Sequence, residues 1–491
     1  MNPLYVSVMV IFLLLYLGIA VWAGRKKVVT SKDFLIAGFK LGPIVLVGTY
    51  LATFYSGASL IGGTGMVYRL GIAGNWWPLF YALATVINVF IAIRIRGKLL
   101  ETPPEFMERR YGSRLLRILA SIGLVVGTLF GTLVQYKAMG IAWTLATGAS
   151  PEMGIIIGGI LMTVVVTIGG LMSVAYSDVL KAAVFTVAII WAGMWCLTTF
   201  DLSSVLDKLS TLSTPPQVGA PPTPAGSLVS LIGTLGVYML IFQAINWIFG
   251  IGIHPQYVQR MSAGKDMKTT LLQYLISWPI LCAIYILLMI VALTARAVIP
   301  TMPEGYTTDW ALPYFLTTYA PPLVGAMFFA GIAAAAISTV DSQLELIAAS
   351  IFSDIIEPLS GKKLTDKERL KWSRITALVI ALAMILVALR PSPLLLLIQA
   401  YGWGILAAIY AAPLIFGLYW KRGNREGALA ASIIGGLLAT VFQAMQFMGL
   451  LPPYMAPAAP AILASLLVYV IVTLMFPAPP EELTRNFFPE K

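Results

Sequence analysis

The chain has 491 residues, of which 59% are hydrophobic and 11% are charged, and its formal net charge is +11. A mean hydropathy of +0.88 excludes a soluble globular domain, in which about 25% of residues are charged. We therefore predict an all-α polytopic membrane protein with a single membrane domain, because apolar spans of about 20 residues, each able to cross about 30 Å of hydrocarbon, make up most of the chain.

The spans are predicted to number thirteen. Their approximate bounds are 4–23, 43–67, 73–93, 115–146, 153–170, 178–200, 228–252, 270–297, 321–349, 373–389, 393–419, 427–448 and 457–476. The first span has no basic residue before it and ends at Arg25-Lys26-Lys27, the reverse of a secretory signal peptide, so we expect it to remain as a helix.

Basic residues collect in every second loop, and this pattern predicts orientation in a cell membrane rather than a nucleic-acid partner. The basic loops lie around 25–40, 94–117, 260–268, 362–374 and 421–425, and the alternate loops hold little beyond Arg69, Lys208, Arg296 and Arg390. The positive-inside rule then places the N-terminus outside and the C-terminus in the cytoplasm. The loops Asp201 to Pro224 and Pro300 to Pro321 are predicted to lie outside.

Two spans contain signals that interrupt a helix. The second concentrates glycine and hydroxyl residues between Ala52 and Gly65, and the seventh does so between Phe249 and Pro255. Because these spans are five apart, they predict an inverted repeat of two five-helix halves with a binding site near the midplane. The alternative is that the glycines serve close helix packing.

The predicted repeat divides the chain into four parts. They are an extra N-terminal helix at 4–23, a first half at 43–200, a second half at 228–419, and two extra C-terminal helices at 427–476.

The ninth span carries a polar run in an apolar helix. Ser338, Thr339, Asp341, Ser342 and Gln343 fall within six residues, where hydrocarbon would make each of them costly. Vicinal hydroxyls suit a small hard cation, and unwound carbonyls of the second span could complete its shell. The alternative is that the two hydroxyls bond back to carbonyls one turn earlier in an ordinary packed helix.

Five short motifs follow one another along the chain. They are Ser31 to Gly38 (SKDFLIAG), Thr102 to Gly112 (TPPEFMERRYG), Gly169 to Val174 with Ser177-Asp178 (GGLMSV and SD), Gln259-Arg260 with Lys265, and Trp420 to Arg422 with Gly427 to Ala430. Over about residues 31–435, this series resembles the sodium/solute symporter family, whose carriers include those for proline, pantothenate, sialic acid and sugars.

The resemblance implies a LeuT-like 5+5 inverted-repeat fold and sodium-coupled symport of a small polar organic solute, with a carboxylate or an amino acid favoured. It implies a sodium shell made by the carbonyls of Ala52, Tyr55 and Ala335 and the hydroxyls of Ser338 and Thr339. Transport would proceed by alternating access within the lipid bilayer. A monomer suffices for this mechanism, and the oligomeric state stays open.

Some members of that family carry a second sodium ion beside an aspartate at the position of Asp178, with hydroxyls at the positions of Asp341 and Ser342. This chain has an acid at Asp341 and a lysine at Lys181 where glutamine is common. Our hypothesis is that the Lys181 ammonium, held between Asp178 and Asp341, substitutes for that ion. The alternative is a structural salt bridge at the cytoplasmic end of the helix.

Candidate contacts for the solute are chosen by position. They are Ser56, Ser59, Gln135, Lys137, Trp247 and Gly250. An unpaired charge at Lys137, deep in the fourth span, is costly, so it is a candidate partner for a solute carboxylate. The alternatives are that Lys137 reaches outward to water or pairs with an acid such as Glu345.

Other functions receive less support. A proton-coupled carrier of the same fold could use Asp178, Asp341 or His254 as its titrating group, although a helix-breaking role for His254 is favoured. A membrane sensor or a channel on the same scaffold would need a signalling domain or a continuous polar path. Enzyme activity is not predicted, because no nucleophile, base and orienting group fall together.

Overall fold

The computed structural model describes residues 3–98, 100–213, 222–361, 364–390, 395–452 and 455–488, without the side chains of 395–397. Residues 214–221 of the predicted outer loop, Lys362 and Lys363, and the start of the predicted span 393–419 lie outside this described part. The helices are α1 Pro3–Lys27, α2 Ser31–Ile36, α3 Pro43–Phe54, α4 Thr64–Leu70, α5 Trp76–Ile95, α6 Pro103–Tyr111, α7 Arg114–Thr147, α8 Pro151–Thr199, α9 Leu202–Thr211, α10 Gly236–Gly252, α11 Pro255–Ala263, α12 Met267–Val298, α13 Ala311–Tyr319, α14 Pro322–Ser350, α15 Glu357–Ser360, α16 Asp366–Ala388, α17 Leu395–Tyr419, α18 Arg425–Phe447, α19 Ala458–Met475 and α20 Glu481–Arg485.

The described residues contain eleven helical stretches long and apolar enough to cross a membrane, and α3 is a shorter apolar helix. The predicted spans 153–170 and 178–200 are joined in α8, whose 49 residues contain a non-helical glycine, Gly170, at φ 49° and ψ −142°. At about 1.5 Å per residue, α8 is more than twice as long as the hydrocarbon core is thick. The helices therefore fit a polytopic protein, but they do not by themselves establish the number thirteen.

Both predicted interruptions are present. Helix α3 ends at Phe54, Tyr55 is extended at φ −83° and ψ 125°, and the chain then continues as a π-helical segment, Ala58–Gly63. Helix α10 ends at Gly252, and α11 begins at Pro255. Each interruption ends at a residue that caps the next helix, because Ser56 Oγ accepts the Ser59 N–H at 3.1 Å and His254 Nδ1 accepts the Gln256 N–H at 3.2 Å.

Each of the two predicted outer loops contains a short helix in addition to turns. The first contains α9, and the second contains α13. Asp201 caps α9 by accepting the Ser204 N–H at 2.9 Å, and the amphipathic sequence of α9 buries Val205 and Leu209. Short helices form there because each has a capping residue or an apolar face.

The motif loops hold helix ends together. Thr30 and Asp33 form a reciprocal capping box at the start of α2. Arg110 of α6 donates to the carbonyl oxygens of Gly417 and Trp420 at 2.8 and 3.1 Å, which fastens α6 to the end of α17. Thr30, Asp33 and Arg110 therefore stabilise the scaffold.

Helix α14 lies at the centre of the molecule. Every residue from Phe328 to Ser350 is buried. Small residues between Gly331 and Ala336 let its neighbours approach closely, and a Cβ on Gly331 would lie 2.9 Å from the Cβ of Ala188 in α8. The polar run of α14 is thus shielded from lipid and faces other helices of the protein.

Candidate functional site

Five oxygen atoms meet where the break after α3 faces α14. Ser338 Oγ donates to the carbonyl oxygens of Ala52 and Ala335 at 2.8 and 2.9 Å. Thr339 Oγ1 lies 3.5 Å from the carbonyl oxygen of Tyr55 and 3.1 Å from that of Ala335. We call these five groups, the carbonyls of Ala52, Tyr55 and Ala335 with the two hydroxyls, the cradle.

The cradle forms because of the break. Carbonyls at the end of a helix have no partner in the next turn, and the extended backbone at Tyr55 leaves those of Ala52 and Tyr55 free to face α14. Both hydroxyls do bond back to Ala335, as in an ordinary membrane helix. They also reach a second helix, which back-bonding does not require. A fully buried set of neutral oxygens suits a hard cation such as Na⁺.

A buried ionic cluster adjoins the cradle. We define it as Asp178 and Lys181 of α8 and Asp341 of α14. Lys181 Nζ lies 2.8 Å from Asp178 Oδ1 and 2.9 Å from Asp341 Oδ2, and all three side chains are 0% exposed. The Tyr16 hydroxyl donates to both Asp341 oxygens at 3.0 and 2.9 Å, and the Thr49 hydroxyl donates to Asp178 at 2.6 Å. The ammonium is thus held between two acids on two helices.

Ser342, the fourth residue predicted at this place, contacts a different cation. Arg260 of α11 donates from Nη2 to Ser342 Oγ at 2.5 Å and from Nε to Thr49 Oγ1 at 3.1 Å. Its Nη2 also lies 3.6 Å from Asp178 Oδ2. Arg260 therefore connects four helices directly beside the cradle, namely α3, α8, α11 and α14.

Three of the solute candidates lie around the first break. Ser56 Oγ and Ser59 Oγ are 3.1 Å apart. Gln135 of α7 accepts the Ala58 N–H at 3.4 Å through Oε1 and donates to Gln399 of α17 at 3.4 Å. A helix that restarts after a break presents unpaired N–H groups and a partial positive charge, and Gln135 accepts one of these groups, the Ala58 N–H.

Trp247, another candidate, belongs to an aromatic wall next to this place. Its ring centroid lies 5.3 Å from that of Tyr81 and 6.0 Å from that of Trp403. A cavity of about 40 Å³ lies beside Trp247 and Gln243, well below the roughly 300–1,000 Å³ of a small-molecule site. Gly250 lies one turn further along α10, and a Cβ built on it would contact the Cβ of Trp403 at 3.7 Å. A solute would therefore have to separate these walls in order to bind.

The Lys137 side chain does not lie with the other candidate contacts for the solute. Its ammonium donates to the backbone carbonyl of Arg390 on a partly exposed face, whereas Gln135 is fully buried. This agrees with the outward-reaching alternative. The other predicted partner, Glu345, accepts a bond from Gln259 at 2.9 Å instead. Lys137 fails to reach the site because two residues turn a helix through about 200°.

Sequence inspection missed several residues that the structure places here. Tyr16, Thr49, Arg260 and Gln399 all make buried contacts with predicted site residues. Arg260 was assigned to a basic loop, although it ends a helix that enters the protein interior. Thr49 precedes Ala52 by one turn, so its hydroxyl in an apolar helix was an available signal. Nothing local marks Tyr16 or Gln399.

The comparisons with known proteins agree on one family. A family model described as "Sodium:solute symporter family" matches residues 34–435. The sodium/pantothenate symporter of Escherichia coli strain K12 is 27% identical over 481 residues, which cover 94% of this chain and 95% of that relative. The osmoregulated proline transporter OpuE of Bacillus subtilis is 24% identical over 451 residues, covering 86% of this chain and 85% of that relative.

Solved structures share the fold. A Na⁺-coupled sialic acid symporter in a substrate-bound, outward-open state matches with a TM-score of 0.78 at 17% identity, over 97% of this chain and 98% of that one. MhsT in complex with L-phenylalanine matches with a TM-score of 0.58 at 13% identity, over 89% of this chain and 98% of that one.

Proposed function

The chain belongs to the sodium:solute symporter family, and we propose that it binds one sodium ion in the cradle and uses it to drive symport of a small polar organic solute. The observation that carries this assignment is the contact of Ser338 and Thr339 with carbonyls of the broken helix at 2.8 and 3.5 Å. A cation bound there would replace hydroxyl donors as the partner of those carbonyls. It would thereby join α3 to α14.

Alternating access follows from this connection. Sodium in the cradle stabilises the conformation in which α3 and α14 are close, and the solute binds where the same helix is broken. Because each ligand favours the same arrangement, each raises the affinity of the other reciprocally. When the helices separate toward the other side of the membrane, both sites lose their walls together and both ligands leave.

The ionic cluster sets the stoichiometry at one sodium per cycle. Lys181 Nζ, 2.8 and 2.9 Å from two acids, occupies the place that a second ion would need. A tethered ammonium neutralises the acids permanently, whereas an ion would do so only when bound. The cluster therefore acts as a fixed counterpart of a second sodium site.

A carboxylate is the favoured group on the solute. Relatives named for pantothenate and proline carry molecules that share this group. The restarted helix at Ala58 offers N–H groups and a positive dipole to it, and Gln135, Ser56 and Ser59 lie beside it. Trp247 and Gly250 would face the remainder of the molecule. Lys137 is assigned no contact with the solute, since its ammonium reaches Arg390.

The chain is a multi-pass membrane protein, and its orientation is assigned from the basic loops. The N-terminus lies outside and the C-terminus in the cytoplasm. The side of the cradle on which α2 and the end of α14 lie then faces the cytoplasm. Solute and sodium would enter from outside and leave on that side.

The deciding experiment uses the full-length protein in proteoliposomes. A thermal-shift screen of small acids and amino acids, with and without sodium, identifies the solute through the stabilisation that binding confers. Uptake of that solute is then measured with sodium replaced by choline at fixed pH. Sodium-dependent accumulation supports the proposal. Uptake that follows a proton gradient in the absence of sodium would contradict it and favour proton coupling.

A further inference from the structure

One buried acid near the cradle belongs neither to the cradle nor to the ionic cluster. Glu345 of α14 is 0% exposed. Asp178 and Asp341 each pair with a base, whereas Glu345 has no ion pair among the described residues. An isolated buried carboxylate is costly, so a fully buried and unpaired acid calls for an explanation beyond packing.

Glu345 lies on the same face of α14 as the cradle. It follows Ser338 by seven residues, which is close to two full turns or about 10.5 Å along the axis. Ser342 lies between them and donates to the Ser338 carbonyl at 2.8 Å. The polar face of α14 thus continues from the cradle toward the side on which α2 lies.

The surroundings of Glu345 form an incomplete set of oxygen ligands. Gln259 of α11 donates from Nε2 to Glu345 Oε2 at 2.9 Å and to the Leu35 carbonyl of α2 at 3.0 Å. Two acceptor contacts fix the orientation of this amide, with Nε2 as the shared donor. Glu345 Oε1 and Gln259 Oε1 are both buried and have no hydrogen-bond partner in the part of the chain that the structure describes. Each of the two side chains joined by the Gln259–Glu345 hydrogen bond therefore keeps one buried oxygen that accepts no hydrogen bond from the described residues.

The charges near the cradle point to the missing partner. The buried acids Asp178, Asp341 and Glu345 and the two buried bases Lys181 and Arg260 sum to one formal negative charge when all three acids are ionised. The cradle itself is made of neutral groups. One monovalent cation, bound at the cradle or at Glu345, balances the whole region.

We propose that Glu345 and Gln259 form a relay site that receives sodium from the cradle on its way to the cytoplasm. Glu345 Oε1 and Gln259 Oε1 would bind the ion after it leaves Ser338 and Thr339. This inference rests on the proposed function, because it requires sodium in the cradle.

Arg260 controls the step between the two sites. Its guanidinium contacts Ser342, midway between the cradle and Glu345, at 2.5 Å, and also holds Thr49 of α3 at 3.1 Å. A cation cannot pass Ser342 while a guanidinium lies against it. Movement of α3 would release Arg260, so that the relay opens only when the cytoplasmic side opens.

The test separates sodium release from the rest of the cycle. Glu345→Gln keeps the shape of the side chain and its bond from Gln259 but removes the charge. Net uptake of solute into sodium-free proteoliposomes requires sodium release, whereas exchange of labelled for unlabelled solute with equal sodium on both sides does not. We expect Glu345→Gln to slow net uptake at least tenfold and to leave exchange within threefold of the parent protein.

A second variant and a control complete the design. Gln259→Met removes the amide oxygen while keeping the carboxylate, and we expect the same selective loss, at least threefold. Glu357→Gln alters an acid on the continuation of α14 that pairs with Arg369 at 3.0 Å, and both rates should be retained. The relay proposal would be refuted if Glu345→Gln and Gln259→Met slowed net uptake and exchange equally, or if both variants left net uptake unchanged. If the parent protein itself shows no sodium-driven uptake, the proposed function fails instead.

Discussion

Ser338 Oγ lies 2.8 Å from the carbonyl oxygen of Ala52, although 286 positions separate the two residues. This contact joins the central buried helix to the last turn of a helix that stops in the protein interior. It is the contact that distinguishes a cation site from hydroxyls bonded back within their own helix. The first predictions concern this place.

Removing the cradle hydroxyls should weaken sodium binding. Ser338→Ala and Thr339→Ala each delete one of five oxygen ligands, and we expect the sodium concentration for half-maximal uptake to rise about tenfold, equivalent to about 1.4 kcal/mol. The double variant should lose sodium-dependent uptake. Thr128→Ala, which removes a buried hydroxyl of α7 without a hydrogen-bond partner among the described residues, is the matched control and should retain the parent value. An unchanged sodium dependence in the double variant would refute the cradle assignment.

Closing the space at the break should stop transport. A Cβ on Gly57 would lie 2.4 Å from the Cβ of Ala138 and 3.2 Å from that of Ala336. Gly57→Ala should therefore push the broken helix away from α7 and α14, lower stability by about 1–3 kcal/mol and reduce uptake at least tenfold. Gly42→Ala, at the start of the same span and with nothing within 4 Å of its Cβ, should behave like the parent protein. Thermal unfolding and uptake measure the two effects.

The ionic cluster predicts how sodium stoichiometry depends on Lys181. The parent protein should show a Hill coefficient for sodium near one. Lys181→Gln leaves Asp341 without its ion pair and Asp178 with only the 3.6 Å contact of Arg260, and we expect a loss of stability of about 3–5 kcal/mol. Sodium should restore part of this stability by binding between the acids.

A double variant tests the same idea without the excess charge. Lys181→Gln with Asp341→Ser removes one charge of each sign and supplies a hydroxyl beside Asp178. It should be more stable than Lys181→Gln alone, and its Hill coefficient should rise toward two. A coefficient near two in the parent protein would show that Lys181 does not take the place of an ion.

Gln135 and Lys137 should differ in their effect on the solute, although they are neighbours in sequence. Gln135 contacts the restarted helix through the Ala58 N–H at 3.4 Å, and Gln135→Leu should raise the KM for the solute at least tenfold. Lys137→Gln should change it less than threefold, because the Lys137 ammonium contacts the Arg390 carbonyl. A large rise in KM for Lys137→Gln, seen only with acidic solutes, would show that Lys137 does contact the solute carboxylate.

Much of the architecture follows from local sequence. Runs of about 20 apolar residues dictate spanning helices, and glycine with hydroxyl residues near Tyr55 and His-Pro at 254–255 dictate where helices stop. The polar run from Ser338 to Gln343 likewise required a polar surrounding, whatever the fold. These are short-range properties, in which each residue acts on its own turn of backbone.

The partners of Lys137 and Glu345 were decided by the tertiary structure alone, whereas Lys181 was already expected between Asp178 and Asp341. Lys137 and Lys181 both fall within apolar spans, yet Lys181 lies between two acids and Lys137 reaches Arg390. Glu345 was a possible partner for Lys137 and instead faces Gln259. Because burial makes an unpaired charge costly, each charged side chain takes the partner that helix packing brings within reach. Packing between helices distant in sequence leaves no local trace, so only the assembled structure identifies the partners of Lys137 and Glu345.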